Sequence, residues 1–178
     1  MARSAMSRET LLPAMAAHVL EHGLVGLSLR PLAKAAGTSD RMLIYHFGSK
    51  DALVAALLDH LAGLFTLMLD EAFPMGRAES RKACFESVMD STAQPEFRPF
   101  FGFWWHVVAG CARGEGAYLD AAGRIMDRLL QWVEEHLPPD DPDPADGARQ
   151  VLTLIEGAQM LDAVGRGKIG RSAAEIFD

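Results

Sequence analysis

Apolar residues recur along this chain at spacings of three and four, and β-branched runs with period two are absent, so the pattern predicts an all-α protein. Leu11, Leu12, Met15, Ala16, Val19 and Leu20 form the first stripe, over residues 8–22, with Gly23 as its stop. Pro13 complicates the start of that helix. A proline deep in a helix costs about 3 kcal/mol but is tolerated in the first turn, which points to Thr10 as N-cap and to a frayed arm before it. Ser28 reads as the next N-cap, with Pro31 in the permissive first turn and Leu29, Leu32, Ala33 and Ala36 turned inward until Gly37 ends the helix. Ser39 then caps a third short helix, Asp40 to Phe47, and Gly48 breaks it. Ser49 caps a long fourth helix carrying Ala52, Leu53, Ala56, Leu57, His60, Leu64 and Leu67 at period 3.6.

Beyond Phe73-Pro74 the spacing predicts helices over 79–92, 97–113 and 117–136. The stretch PPDDPDP (138–144) reads as a non-helical acidic connector, followed by a helix over 145–164 and a Gly/Arg-rich tail. Two short helices joined by a tight glycine turn, after a longer first helix, make a helix-turn-helix pattern.

Charge divides the chain in a way that composition alone hides. The net charge is −7 over 178 residues, yet residues 1–50 carry +3, from Arg3, Arg8, Arg30, Lys34, Arg41 and Lys50 against Glu9, Glu21 and Asp40. Residues 51–178 carry −10. A basic head on an acidic body implies that only the head meets a polyanion. No apolar run is read as approaching a membrane span, and the N-terminus lacks the continuous apolar core of a secretion signal, so no membrane partner and a cytoplasmic location are expected. Cys84 and Cys111 stand apart, without metal or redox spacing, and are read as reduced core thiols.

Two chemical patterns are set aside. His18-Val19-Leu20-Glu21-His22 spells H-x-x-E-H, but on the first helix and with no third ligand in view. Gly165 to Ser172 approximates a phosphate loop in which Arg171 replaces the lysine, and it follows a helix instead of a strand. No enzyme activity, cofactor or metal is expected.

The segment LSLRPLAKAAGTSDRMLIYHFGSKDAL (27–53) resembles the helix-turn-helix signature of the TetR family of transcriptional regulators, through Leu32, Ala33, Ala36, Gly37, Ser39, Leu43, Tyr45, His46, Phe47, Ser49, Lys50 and Leu53. Leu11, Leu12, Ala14, Ala17, Glu21 and Gly23 also fit the first helix of that family. The resemblance implies an N-terminal DNA-binding domain over 1–50 and a C-terminal helical ligand-sensing and dimerisation domain over 51–178. Asp40, Arg41 and Met42, preceded by Ser39, would then meet base edges in the major groove. Arg41 suits a guanine and Met42 a thymine methyl. Tyr45, His46 and Lys50 would hold phosphates, with Arg30 and Lys34 adding backbone charge. Two positions depart from the signature. Ile44 stands where a tyrosine is frequent, and Asp40 is acidic at a place often basic or polar.

The run PEFRPFFGFWWHVVAGCAR (95–113) sets Phe97, Phe101, Trp104, Trp105, Val108 and Cys111 on one face and Phe100, Phe103 and Val107 on another. A helix apolar most of the way round is central to its domain, whether as filled core or as the wall of an apolar pocket with His106 as polar handle. By resemblance, Phe65, Met68, Phe85, Met89, Phe101, Trp104 and Trp105 are the expected walls. The resemblance also implies a homodimer formed by the last two long helices, with Ala121, Gly157 and Ala158 allowing close approach. The whole reads as a repressor released from a palindromic double-stranded operator by a small apolar or aromatic effector. A helical adaptor of the same fold without DNA affinity is the alternative, raised by Asp40 and Ile44.

Overall fold

The computed structural model describes residues 7–24, 28–73 and 76–177. Expectations touching Arg3, Leu27 and Pro74 lie outside those residues. Among the described residues there are helices and no strands, as the spacing predicts. They are α1 (Arg8–His22), α2 (Leu29–Ala35), α3 (Asp40–Phe47), α4 (Lys50–Ala72), α5 (Arg81–Thr92), α6 (Arg98–Ala112), α7 (Gly116–His136), α8 (Pro144–Ala163) and α9 (Gly167–Ser172). Short 3₁₀ segments cover Pro95–Phe97 and Ala173–Phe177.

The chain divides into two compact units, one of residues up to Phe65 with Arg98–Ile125, the other of Thr66–Phe97 with Met126–Asp178. In the first unit, α1 packs on α2 and α6, and α2 on α3. Leu11, Met15, Val19, Leu32, Leu43, Phe47 and Leu57 are buried in it. The start of α1 differs from the expectation. Ser7, not Thr10, is the N-cap, and Thr10 is its reciprocal partner: the Ser7 N–H donates to Thr10 Oγ1 at 2.9 Å and the Thr10 N–H to Ser7 Oγ at 3.4 Å. This capping box holds the helix from Arg8 through Pro13, whose exposed side leaves the stripe undisturbed.

α4 corrects another expectation. It is long and apolar enough to cross a membrane by length and composition alone. Leu53, Leu57, Leu58 and Leu61 on it are fully buried, so a core stripe accounts for part of that composition. On α6 the deeply buried line is Phe100, Phe103, Val107 and Gly110, while Phe101, Trp104 and Trp105 are half-buried.

In the second unit, α5 packs on α8 and on the C-terminal 3₁₀ segment. Cys84, Phe85, Val88 and Met89 fill its interior, and burial pushes the Cys84 thiol up to about 12. The acidic connector is tied down. Arg81 reaches Asp141 with both ends of its guanidinium, Nε to Oδ2 at 2.7 Å and an Nη to Oδ1 at 2.6 Å, and also bonds the Asp143 carbonyl at 3.1 Å. Gly147 makes the room, since a Cβ there would lie 2.7 Å from Arg81 Nε. Pro144 is the first residue of α8 and not the end of the connector, because Asp143 caps it and a first-position proline forfeits no helical bond.

A second aromatic cluster closes this unit. Trp132 Nε1 donates to Asp70 Oδ1 at 2.6 Å, the Trp132 and His136 rings stack at 3.9 Å, and Phe73 meets both edge-on. The tail after α8, which the sequence shows only as Gly/Arg-rich, is helical. Gly170 lets it lie directly on α8, where a Cβ would come within 2.6 Å of Ala158 Cα.

Candidate nucleic-acid interface

The turn between α2 and α3 is built by backbone bonds. The Ala36 N–H donates to the Leu32 carbonyl at 2.9 Å and the Thr38 N–H to the Ala33 carbonyl at 2.8 Å. Gly37 sits at φ +64°, in the left-handed region where a side chain is strained. Ser39 then caps α3, accepting from the Met42 N–H at 3.3 Å, and Ser49 caps α4 through the Ala52 N–H at 3.0 Å. Ser28 occupies the N-cap position of α2, but its hydroxyl makes no capping bond.

α3 has two faces. Leu43 and Phe47, four apart, are buried in the interior of the first unit. Arg41 and Tyr45, also four apart, are exposed, and Tyr45 is 77 % exposed, which is unusual for so large an aromatic. Ser39, Asp40 and Lys50 are exposed too, as are Arg30 and Lys34, one turn apart on α2. Met42 and His46 are half-buried. The structure thus brings these predicted residues into the first compact unit, most of them solvent-facing.

Sequence reasoning missed Arg8. Its Nε donates to the His46 carbonyl at 2.6 Å, and its guanidinium carbon stands 5.6 Å from the centre of the Phe47 ring. The His46 ring meets Tyr45 edge-on at 5.3 Å, and its buried Nε2 has no hydrogen-bond partner among the described residues. The Ser7-x-x-Thr10 spacing is the signal that would have placed Arg8 inside α1.

The predicted pocket residues divide between the two units. Phe65, Phe101, Trp104, Trp105 and His106 belong to the first, where Phe65 tilts against Phe100 at 5.5 Å and stands edge-on to Phe101 at 6.4 Å. His106 Nε2 is 3.5 Å from Tyr118 Oη, with the rings edge-to-face at 5.8 Å. Burial raises the Tyr118 hydroxyl above its ordinary value, with Glu115 adding to the shift. Gly110 admits that ring, since a Cβ would lie 2.5 Å from Tyr118 Cδ2. Met68, Phe85 and Met89 belong to the second unit, where Phe85 and Met89 are fully buried core.

A capped helix pair with a tight glycine turn, supported by a longer first helix, defines the class: a helix-turn-helix protein with a helical body. Residues 14–57 match the profile of bacterial regulatory proteins, tetR family. Residues 14–57 thus carry the N-terminal domain of that family, where the sequence signature lies. No curated protein matches it in sequence. Among solved structures, it is similar to a chain assigned as a transcriptional regulator from Streptomyces coelicolor, at TM-score 0.73 and 23 % identity, covering 96 % of each chain. It is also similar to a TetR transcription regulator from Haloarcula marismortui, at TM-score 0.66 and 19 % identity, covering 96 % of this chain and 95 % of that one. The multidrug binding protein EbrR, complexed with imidazole, aligns at TM-score 0.67 and 17 % identity over 96 % of this chain and 88 % of its own. These likenesses establish the fold.

Proposed function

We propose that this chain is a homodimeric, ligand-responsive DNA-binding regulator, a repressor released from a palindromic operator by a small apolar or aromatic effector. Residues 1–50 are its DNA-reading domain and 51–178 its sensing and dimerising domain, and it works in the cytoplasm. The observation that carries the reading is the outer face of α3, where Arg41 and Tyr45 stand in solvent opposite the buried Leu43 and Phe47. A core role explains Leu43 and Phe47 but gives no account of an aromatic left in water. On this reading Arg41, with Asp40 and Met42, reads bases, while Tyr45, His46, Lys50, Arg30 and Lys34 hold phosphates.

Dimerisation is supported by the C-terminal surface. Met160, Val164, Ile169 and Ile176 are more than half exposed, and Leu154, Leu161 and Phe177 help line an apolar groove between α8 and the tail. Ala121 and Ala158 are both buried within the chain, so neither offers the close approach expected of it, and we assign the partner to the exposed apolar residues of α8 and the tail. Effector binding is supported by the half-buried aromatic face of α6, with His106 and Tyr118 as its polar pair, and by the small aromatic ring that EbrR holds. An effector acts by binding better to the dimer geometry that does not fit the operator.

The test is selection of sites from random duplex DNA, followed by anisotropy titrations across a salt series. A palindromic winner whose affinity falls steeply with salt is expected. A folded, dimeric protein that enriches no sequence at low salt would instead be a helical adaptor.

A further inference from the structure

A cavity of about 250 Å³ opens between the end of α4 and α5. Ala72, Phe73 and Ala83 give it apolar walls, while Arg77, Glu79 and Ser87 bring in one cation, one anion and one hydroxyl. All of these residues belong to the second unit. The aromatic wall is fixed by packing, because Phe73 is buried and meets both Trp132 and His136 edge-on. The segment bearing the charges is tied to the end of α7. The Ala78 N–H donates to the His136 carbonyl at 2.8 Å, and an Arg77 Nη donates to the Leu137 carbonyl at 3.3 Å.

The charges at the cavity are unpaired. Arg81, Arg113, Arg124, Arg149 and Arg171 each pair with a carboxylate, whereas Arg77 has only that backbone carbonyl. Among the described residues the Glu79 carboxylate and the Ser87 hydroxyl have no hydrogen-bond or ion-pair partner. A guanidinium presents parallel N–H donors to a carboxylate, and a carboxylate accepts from an ammonium. A ligand carrying only one of these charges leaves the other group unanswered. The cavity has the room of about eight water molecules, at roughly 30 Å³ each, which suits a free amino acid with a short branched side chain.

We propose that this cavity binds an α-amino acid zwitterion with a small apolar side chain. Arg77 takes the carboxylate, Glu79 the ammonium, and Phe73 with Ala72 and Ala83 the side chain. The site shares no residue with α3 or with the α6 face assigned to the effector, so the inference stands apart from the DNA-binding reading.

The test titrates L-leucine into the isotope-labelled full-length chain, followed by amide NMR. Saturable shifts are expected, confined to residues 76–80 and to α5 around Ala83 and Ser87. N-acetyl-leucine lacks the ammonium and isopentylamine lacks the carboxylate, so each should bind about tenfold more weakly or worse, the loss of one charge-assisted hydrogen bond. Arg77→Gln and Glu79→Gln should weaken leucine binding by about the same factor. Glu79 is exposed, so Glu79→Gln should keep the ligand-free melting temperature of the wild type. Equal affinity for N-acetyl-leucine, wild-type affinity in Glu79→Gln, shifts elsewhere in the chain, or no saturable shift with leucine overturns the proposal.

Discussion

Arg8 and His46 are 38 positions apart in the chain, yet the Arg8 side chain closes on the His46 main-chain carbonyl at 2.6 Å. That carbonyl belongs to the last turn of α3, where helix geometry leaves acceptors without partners and where a cation is favoured by the helix dipole. Because α3 has only eight residues, its last turn is half of it. Arg8 therefore helps fix the helix proposed to enter the groove.

Arg8→Ala should speed amide exchange at the end of α3 and weaken operator binding about fivefold, the equivalent of one exposed charge-assisted hydrogen bond of about 1 kcal/mol. Arg8→Lys should recover part of the loss. If exchange is unchanged while DNA binding collapses in both variants, Arg8 touches DNA itself and does not act through α3.

Arg41 and Lys50 should separate reading from holding. Arg41→Ala is expected to relax sequence preference by about 1–3 kcal/mol at one base pair per half-site. Lys50→Ala should weaken all duplexes about equally and flatten the salt slope by roughly one unit. Anisotropy on operator and scrambled duplexes measures both. Should neither substitution alter operator binding, the face assigned here is the wrong one.

Helix ends show most clearly what a local pattern can specify. α3 was legible to the residue, because Ser39 and Gly48 are local signals that need no tertiary contact. Ser28 is in the right place without its bond, so position was readable and geometry was not. α9 was missed because glycines at two of its six positions, Gly167 and Gly170, argue against a helix. Gly170 instead lets α9 pack on Ala158, a contact between distant positions that no local pattern announces. For the same reason the exposed ring of Tyr45 was predictable from period 3.6, whereas the reach of Arg8 was not.

The Arg81–Asp141 pair gives a prediction in pH. Arg81 holds the Asp141 carboxyl below the usual carboxylate range, chiefly through its hydrogen bond, and the Asp141 side chain is only 3 % exposed. A depressed acid stabilises the fold above the unfolded-state value of about 3.9 and loses that contribution as pH falls through the lowered folded value. Arg81→Ala strands the carboxylate and should cost about 2 kcal/mol at neutral pH, shrinking below pH 4. Urea midpoints of both proteins from pH 7 to pH 2 test this. A gap between them that stays constant down to pH 2 would rule out the ion pair as its source.

Gly170 offers a way to separate association from folding. A Cβ there would meet backbone and side chain of Ala158 at 2.6 Å, and backbone cannot step aside. Gly170→Val should lift the tail from α8 at a cost of about 1–3 kcal/mol. The proposed dimer should then dissociate at micromolar concentration while helical content is kept. Sedimentation velocity reads the outcome, and a dimer as tight as the wild type would place the interface elsewhere.

If α3 reads DNA as proposed, its brevity also sets how much information one copy of the chain extracts. Eight residues of helix span about 12 Å, the length of roughly three to four stacked base pairs. At two bits for each fully specified pair, one helix supplies about seven bits, a pattern met by chance about once per hundred positions in a genome offering at least about 10⁶ competing sites. Two copies on a symmetric site supply about fourteen bits, and chance matches still number in the tens or more. A protein built on this helix therefore needs more than its sequence preference to occupy one promoter. The shape of the DNA between the half-sites must supply the missing bits.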